Sequence, residues 1–247
     1  MARLDSQAWT GIVNDVSSFT ATIIRLGGGL SRRPGGSVPG RLLELYDYEG
    51  CPYCRKVRER LCELDLDVLI HPVAHGSPRR AELKHLGGRV QVPYLVDPNT
   101  SRAMYESEDI MTYLDTQYGP SQTRSGLRAF PLLNTGSSFL ASAVRLGQGV
   151  RITRRLDDAR RPASPLELYN MEGSPYCRKV REVLTVLDLD HVIRNVPKGS
   201  PKRAAFETLA GKVQVPYLVD PNTSEAMFES SDIVAYLYGT YGPRSGA

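Results

Sequence analysis

The sequence predicts an α/β protein made of two tandem copies of one small module with the order β-α-β-α-β-β-α. Three observations predict it. Residues 42–120 align with 165–243 at a constant offset of 123 without a gap, and 51 of the 79 paired positions are identical. Within each copy, short alternating apolar runs exchange with runs whose apolar residues recur every three to four positions. The 247 residues are 41% hydrophobic and 23% charged, the balance of a folded chain rather than a disordered one, and their length suits two small domains.

Each element follows from local signals. Leu42–Tyr46 alternates as a strand and Glu49-Gly50 is a turn. Pro52 suits a first helical position, and Val57, Leu61 and Leu64 share one helical face. Asp67–His71 reads as a second strand. Ser77-Pro78 opens a helix that stops at Gly87-Gly88. Val92–Val96 and Ala103–Tyr105 are strands joined by the turn Asp97-Pro98-Asn99-Thr100. A last helix runs from Ser107 to Tyr118 with Ile110, Tyr113 and Leu114 inward. The second copy repeats the series.

The similarity continues upstream of each core with a three-residue slip, SSFTATIIRLGGG at 17–29 against SSFLASAVRLGQG at 137–149. The chain therefore divides into a leader (1–41), module 1 (42–120), a linker with a second leader (121–164) and module 2 (165–243). Each leader reads as a short helix ending at its glycines, and the Pro/Gly/Arg-rich stretches 31–40 and 151–164 read as connectors. A cleaved presequence would not recur in mid-chain, and residues 1–30 carry Asp5 and Asp15 and lack a signal-type apolar core. The expectation is a cytoplasmic protein. No apolar run approaches the roughly 18 residues of a membrane span. A net charge of +4, with the two signs interspersed, does not indicate nucleic acid as a partner. Four cysteines are too few for a disulfide scaffold, and four histidines without ligand spacing give no metal site.

The chemistry-bearing motif is Cys51-Pro52-Tyr53-Cys54, placed where a strand meets a helix. A thiolate there faces unpaired N–H groups and the positive end of the helix dipole, with Arg55 and Lys56 adding positive charge, so Cys51 becomes the attacking thiolate and Cys54 the resolving thiol. The alternatives are a structural cysteine pair or half a zinc site, and no second Cys or His pair accompanies it. Module 2 has Ser174-Pro175-Tyr176-Cys177. It cannot close the disulfide; it has either lost the chemistry or uses Ser174 to hydrogen-bond a bound thiolate. Cys62, whose copy is Thr185, reads as packing. Val92-Pro93 and Val215-Pro216 precede apolar strands; the prolines are either cis, leaving the valine backbone to pair with an extended ligand, or plain strand starts. Ser107 and Ser230 follow Glu106 and Glu229 at the opening of the last helices, as N-caps or as holders of a ligand carboxylate.

Taken together, CPYC after the first strand, VP before the third and ES before the last helix resemble the thioredoxin-fold module of glutaredoxins and of the amino-terminal domain of glutathione transferases. The resemblance covers both cores, about 160 residues, and not the leaders. It implies glutathione as cosubstrate, Cys51 facing the glutathione sulfur, Val92 beside a cis Pro93 bonding its cysteinyl backbone, and Glu106 and Ser107 holding its γ-glutamyl end. Arg79 or Arg80 would lie near its glycyl carboxylate. The matching places in module 2 are Ser174, Val215, Pro216, Glu229, Ser230, and Lys202 or Arg203. The helical carboxy-terminal domain of transferases does not follow Pro120, so the resemblance favours thiol–disulfide exchange over conjugation, and the leaders or the other module must cover the surface left bare. The expected function is a glutathione-dependent thiol–disulfide oxidoreductase acting on a disulfide. The alternatives are a non-catalytic assembly module with a protein partner, and a transferase acting on an electrophile through Ser174. Iron–sulfur carriage is disfavoured by the proline after Cys51. The expected state is a monomer with the modules related by a pseudo-two-fold axis, or a homodimer.

Overall fold

The computed structural model describes residues 17–23, 28–33, 36–120, 131–144, 148–152 and 160–243. Helix α1, described over residues 17–23, precedes module 1: β1 (Leu43–Asp47), α2 (Pro52–Glu63), β2 (Val68–Pro72), α3 (Arg79–Gly87), β3 (Tyr94–Asp97), β4 (Arg102–Met104) and α4 (Ser107–Tyr118). Helix α5 (Pro131–Val144) then leads to module 2: β5 (Leu166–Asn170), α6 (Pro175–Val186), β6 (His191–Asn195), α7 (Lys202–Ala210), β7 (Tyr217–Asp220), β8 (Glu225–Phe228) and α8 (Ser230–Tyr241). These are two tandem thioredoxin-fold modules.

In each module the first two strands run parallel and the third and fourth add antiparallel. Strand alternation sorts the side chains. Leu43, Leu45 and Leu95 point to the face covered by α2 and α4, where they meet Val57, Leu61, Ile110 and Leu114. Tyr46 and Tyr94 point to the opposite face and pack on Leu83 of α3. Phe206 takes the place of Leu83 in module 2, stacked on Tyr169 at 4.5 Å.

The modules share one eight-stranded sheet in the order β4-β3-β1-β2-β6-β5-β7-β8. Its seam is the antiparallel pairing of β2 with β6, Val68 to Ile193, Leu69 to Val192 and Ile70 to His191. Leu69 and Val192 are equivalent positions at the offset of 123, and the flanking pairs exchange about them. The local two-fold axis therefore passes through that pair. Each module closes the strand edge that the other would leave unpaired.

The leaders cross over. Helix α1 lies on module 2: Ser18 Oγ donates to the Pro175 carbonyl (3.0 Å), Thr22 Oγ1 to that of Gly173 (2.9 Å), and Phe19 meets Tyr176 edge-on at 5.6 Å. Helix α5 lies on module 1 in the same way, with Ser138 Oγ on the Pro52 carbonyl (2.6 Å) and Phe139 edge-on to Tyr53 at 5.2 Å. The chain after each leader is threaded past the other module, bridging Ser31 to Lys198 and His75 to Arg151. Much of the expected connector 151–164 lies outside the described residues.

Two local expectations change. Strand β3 begins at Tyr94 rather than Val92, because the Val92–Pro93 peptide is cis and Pro93 has no N–H for the ladder. Ser107 is the first residue of α4 and not its cap. Glu106 occupies the cap with φ at 63° and makes no side-chain cap bond, and Glu229 repeats this in module 2.

Candidate functional site

Cys51 caps α2. Its backbone is extended (φ −74°, ψ 122°) and its sulfur accepts from the Cys54 N–H at 3.4 Å. Pro52 at the next position needs no N–H partner and has its φ preset for the helix. The thiol pKa is lowered, first by the hydrogen bond with the Cys54 thiol, then by the Cys54 and Tyr53 N–H groups and the charge of Arg58, against burial that alone would raise it. Cys54 is driven well above its ordinary value by burial, by its bond to Cys51 and by the Asp47 carboxylate. One helix terminus thus holds two thiols of opposite tendency, one ready to ionise and one kept protonated. Cys51 is 3% exposed. Tyr48, whose carbonyl accepts from the Cys51 N–H at 3.1 Å, turns its hydroxyl to the same sulfur.

The cation that serves Cys51 is not one of the two adjacent basic residues. Arg55 is buried and donates to Ser142 of α5 (3.3 Å). Lys56 is held by Glu108 (2.7 Å) and Thr135 (2.9 Å). Arg58, one helical turn after Cys54, is the residue whose charge reaches the thiol.

Beside the α2 terminus a cleft of about 430 Å³ is lined by Tyr53 and Lys56 of α2, by Gln91, Val92 and Pro93 before β3, by Glu106, Ser107 and Glu108 at the start of α4, and by Thr135 of α5. Gln91 Nε2 donates to Glu106 at 2.7 Å. The left-handed backbone of Glu106, unusual for a residue with a side chain, is the kind of local strain that concentrates at functional sites.

The sequence model of one family, "Glutathione S-transferase, N-terminal domain", matches twice, over 45–122 and 168–245. The chain belongs to the glutathione S-transferase N-terminal domain family. It is 33% identical over 79 residues to the glutathione S-transferase-like protein tpcF of Aspergillus fumigatus, covering 32% of this chain and 35% of that one. The match thus spans about a third of that relative's length. Among solved structures, the Leishmania protein described as "TDR1 - a unique trimeric glutathione transferase" covers 83% of this chain and 68% of its own at 17% identity, with a TM-score of 0.29.

The second family domain repeats the geometry without the thiol. Ser174 caps α6 with φ −73° and ψ 124°, and its Oγ accepts from the Cys177 N–H at 3.3 Å. Val215–Pro216 is cis, and Gln214 donates to Glu229 at 2.6 Å; Ser230 opens α8 as Ser107 opens α4. Cys177 is buried with its pKa raised, chiefly by burial. Cys62 donates to the Gly29 carbonyl at 3.1 Å, a packing role.

Arg79 and Lys202 are not brought to either family site. Arg79 pairs with Asp190 at 3.0 Å, and Lys202 pairs with Asp67 at 2.6 Å and Asp65 at 3.1 Å. Both pairs cross the seam on the α3/α7 face, where a carboxylate of the other module claims each cation. Sequence reasoning missed Gln91, Glu108 and Thr135. Gln91 is visible as the Q of the duplicated VQVP; Thr135 is not, because its place depends on where a leader folds back.

Among the described residues no group of His, Cys, Asp or Glu is arranged to hold a metal ion, and no helix is long and apolar enough to cross a membrane.

Proposed function

We propose that the protein is a glutathione-dependent thiol–disulfide oxidoreductase working from module 1. The observation that carries this reading is the placement of Cys51 at the α2 cap, its sulfur accepting from the Cys54 N–H at 3.4 Å with Cys54 one turn on; the lowered Cys51 and raised Cys54 agree with it. The Cys51 thiolate attacks a disulfide R–S–S–R′, forming Cys51–S–S–R and releasing R′S⁻, which takes up a proton. Either Cys54, after losing its proton, attacks the Cys51 sulfur, closing the Cys51–Cys54 disulfide and expelling RS⁻, or a glutathione thiolate attacks it, forming the Cys51–glutathione disulfide and expelling RS⁻; in both cases RS⁻ takes up a proton. Two glutathione molecules supply the two electrons and leave as glutathione disulfide. The cleft supports binding of the tripeptide: the Val92 backbone is outside the sheet ladder, and Glu106 lines it with a carboxylate for an ammonium, Gln91 and Ser107 with an amide and a hydroxyl for a carboxylate. The names of the family and of the Aspergillus relative support the same cosubstrate.

A second reading, transfer of glutathione to an electrophile, has one observation in its favour. Phe139 and Leu140 of α5 are 46% and 56% exposed, and Phe139 meets Tyr53 at the edge of the cleft, which leaves apolar surface for an electrophile.

The test is incubation of wild type, Cys51→Ser and Cys54→Ser with glutathione disulfide, with peptide-resolved mass spectrometry. The expected result is an adduct on Cys51 that accumulates in Cys54→Ser and is absent in Cys51→Ser. No adduct on wild type or on Cys54→Ser sinks the reading and leaves a binding scaffold.

A further inference from the structure

The geometry points to Arg181 as a positioning residue for Cys51, supplied by the module that lacks the equivalent thiol. The inference rests on the reading of Cys51 as the attacking thiol.

Glu49 lies two residues before Cys51, in the turn that sets the start of α2. It is buried, and Arg181 of α6 grips it with both prongs, Nε to Oε2 at 3.0 Å and Nη2 to Oε1 at 3.1 Å. Arg181 is itself fixed by Asn170 Oδ1 (2.6 Å) and the Glu172 carbonyl (3.3 Å). A planar fork held at its other edge fixes direction as well as distance. The same turn is pressed by the second leader: the Gly50 N–H donates to the Gly149 carbonyl at 3.1 Å, and a Cβ on Gly149 would come within 2.9 Å of the Glu49 Cβ. The Cys51 turn is thus seated largely by residues from beyond module 1.

The arrangement is reciprocal. Arg58 of α2 bonds Glu172, two residues before Ser174, at 3.1 Å, while also holding Asp47 and Glu49. Four buried side chains, Arg58, Arg181, Glu49 and Glu172, therefore form a crossed pair of clamps about the two-fold axis. The Arg58 clamp ends on a serine and the Arg181 clamp ends on the reactive thiol. Module 2 has exchanged its first cysteine for serine and still carries the arginine that seats the thiol of module 1.

The test uses the full chain with Arg181→Met, Arg181→Lys and, as control, Ile233→Val, which trims a fully buried side chain of α8 in the module 2 core. Alkylation of Cys51 by iodoacetamide is followed against pH by peptide-resolved mass spectrometry, with circular dichroism melts to establish folding. Arg181→Met is expected to raise the Cys51 midpoint by about one pH unit, which is about tenfold less thiolate below both midpoints. Arg181→Lys keeps the charge and loses the fork, and is expected to move the midpoint the same way by less. Ile233→Val is expected to lower the melting temperature and leave the midpoint unchanged. A folded Arg181→Met or Arg181→Lys with the wild-type midpoint overturns the inference; should Arg181→Met not fold, Arg181→Lys decides. An ordinary thiol midpoint in wild type overturns the reading of Cys51 itself, whatever the variants do.

Discussion

Placing a cysteine at position 174, in a chain where Cys51 is serine, sets the thiol on the other helix terminus, which keeps a cysteine three residues on and the matching arginine but has Met171 in place of Tyr48. The two caps share their backbone to within a few degrees, and the sulfur or oxygen accepts from the N–H three residues on at 3.4 and 3.3 Å. A hydrogen bond to a charged acceptor contributes about 1.5–3 kcal/mol. At about 1.4 kcal/mol per pH unit, that lowers a free thiol from about 8.5 to roughly 6.5–7.5. The thiolate fraction at pH 7 then rises from about 3% to between roughly 25% and 75%. Because a less basic thiolate is also a weaker nucleophile, with a Brønsted slope of about 0.4–0.5, the alkylation rate at pH 7 rises only about threefold. The midpoint of the pH profile is therefore the quantity to measure. In the doubly substituted protein (Cys51→Ser with Ser174→Cys) the introduced thiol is expected to titrate with a midpoint between about 6.5 and 7.5. A folded protein with a midpoint at or above about 8.5, the ordinary thiol value, refutes the claim that the terminus activates the thiol, and shifts the credit to Tyr48, which module 2 replaces by Met171.

Other outcomes follow from the same geometry. Cys54→Ala removes the leading stabiliser of the Cys51 thiolate, so the Cys51 alkylation midpoint rises while glutathione remains trapped on Cys51; an unmoved midpoint contradicts this. Leu237→Ala empties a fully buried position of α8 and costs about 2–5 kcal/mol in urea unfolding, without changing the Cys51 midpoint. His191, buried in the seam with Nδ1 on the Leu189 carbonyl at 2.9 Å, has its pKa lowered to about 4, chiefly by burial. Its neutral form is the folded one, so its contribution is complete above the unfolded value of about 6.5 and is lost as pH falls toward 4. Urea unfolding from about pH 7 to about pH 5 is expected to lose about 1–2 kcal/mol through this residue, and His191→Gln to flatten that slope.

Much of the architecture is legible because the duplication offers each element twice. The sequence predicts α2 over Pro52 to about Leu64, and the helix spans Pro52–Glu63; it predicts the last helix over Ser107–Tyr118, and α4 has those bounds. Periodicity and proline placement are local signals, and these elements are locally specified. The residues that seat the thiol are not legible. Arg58 and Arg181 carry no mark distinguishing them from Arg55, since which arginine faces a buried carboxylate depends on helix phase and on the meeting of two strand edges 123 residues apart. The same blindness puts Arg79 and Lys202 near a ligand: the sequence shows a cation in a helix's first turn, but not the carboxylate across the seam that neutralises it. The exchange of leaders escapes for a related reason, because a helix that is amphipathic on its own does not name the surface it covers.

That exchange gives the chain an unequal anatomy. The Cys51 half, from β1 through α5, is one uninterrupted stretch of backbone. The Ser174 half is assembled from two ends, since the helix that roofs it is α1 and its anchoring bonds run from Ser18 and Thr22 to Pro175 and Gly173, more than 150 positions away. Damage near residue 20 is therefore felt in the last third of the protein, and reaches the thiol-bearing half through the clamp, the seam and the bond from Cys62 to the Gly29 carbonyl. A ribosome making this chain completes the first half before the roof of the second has anything to cover.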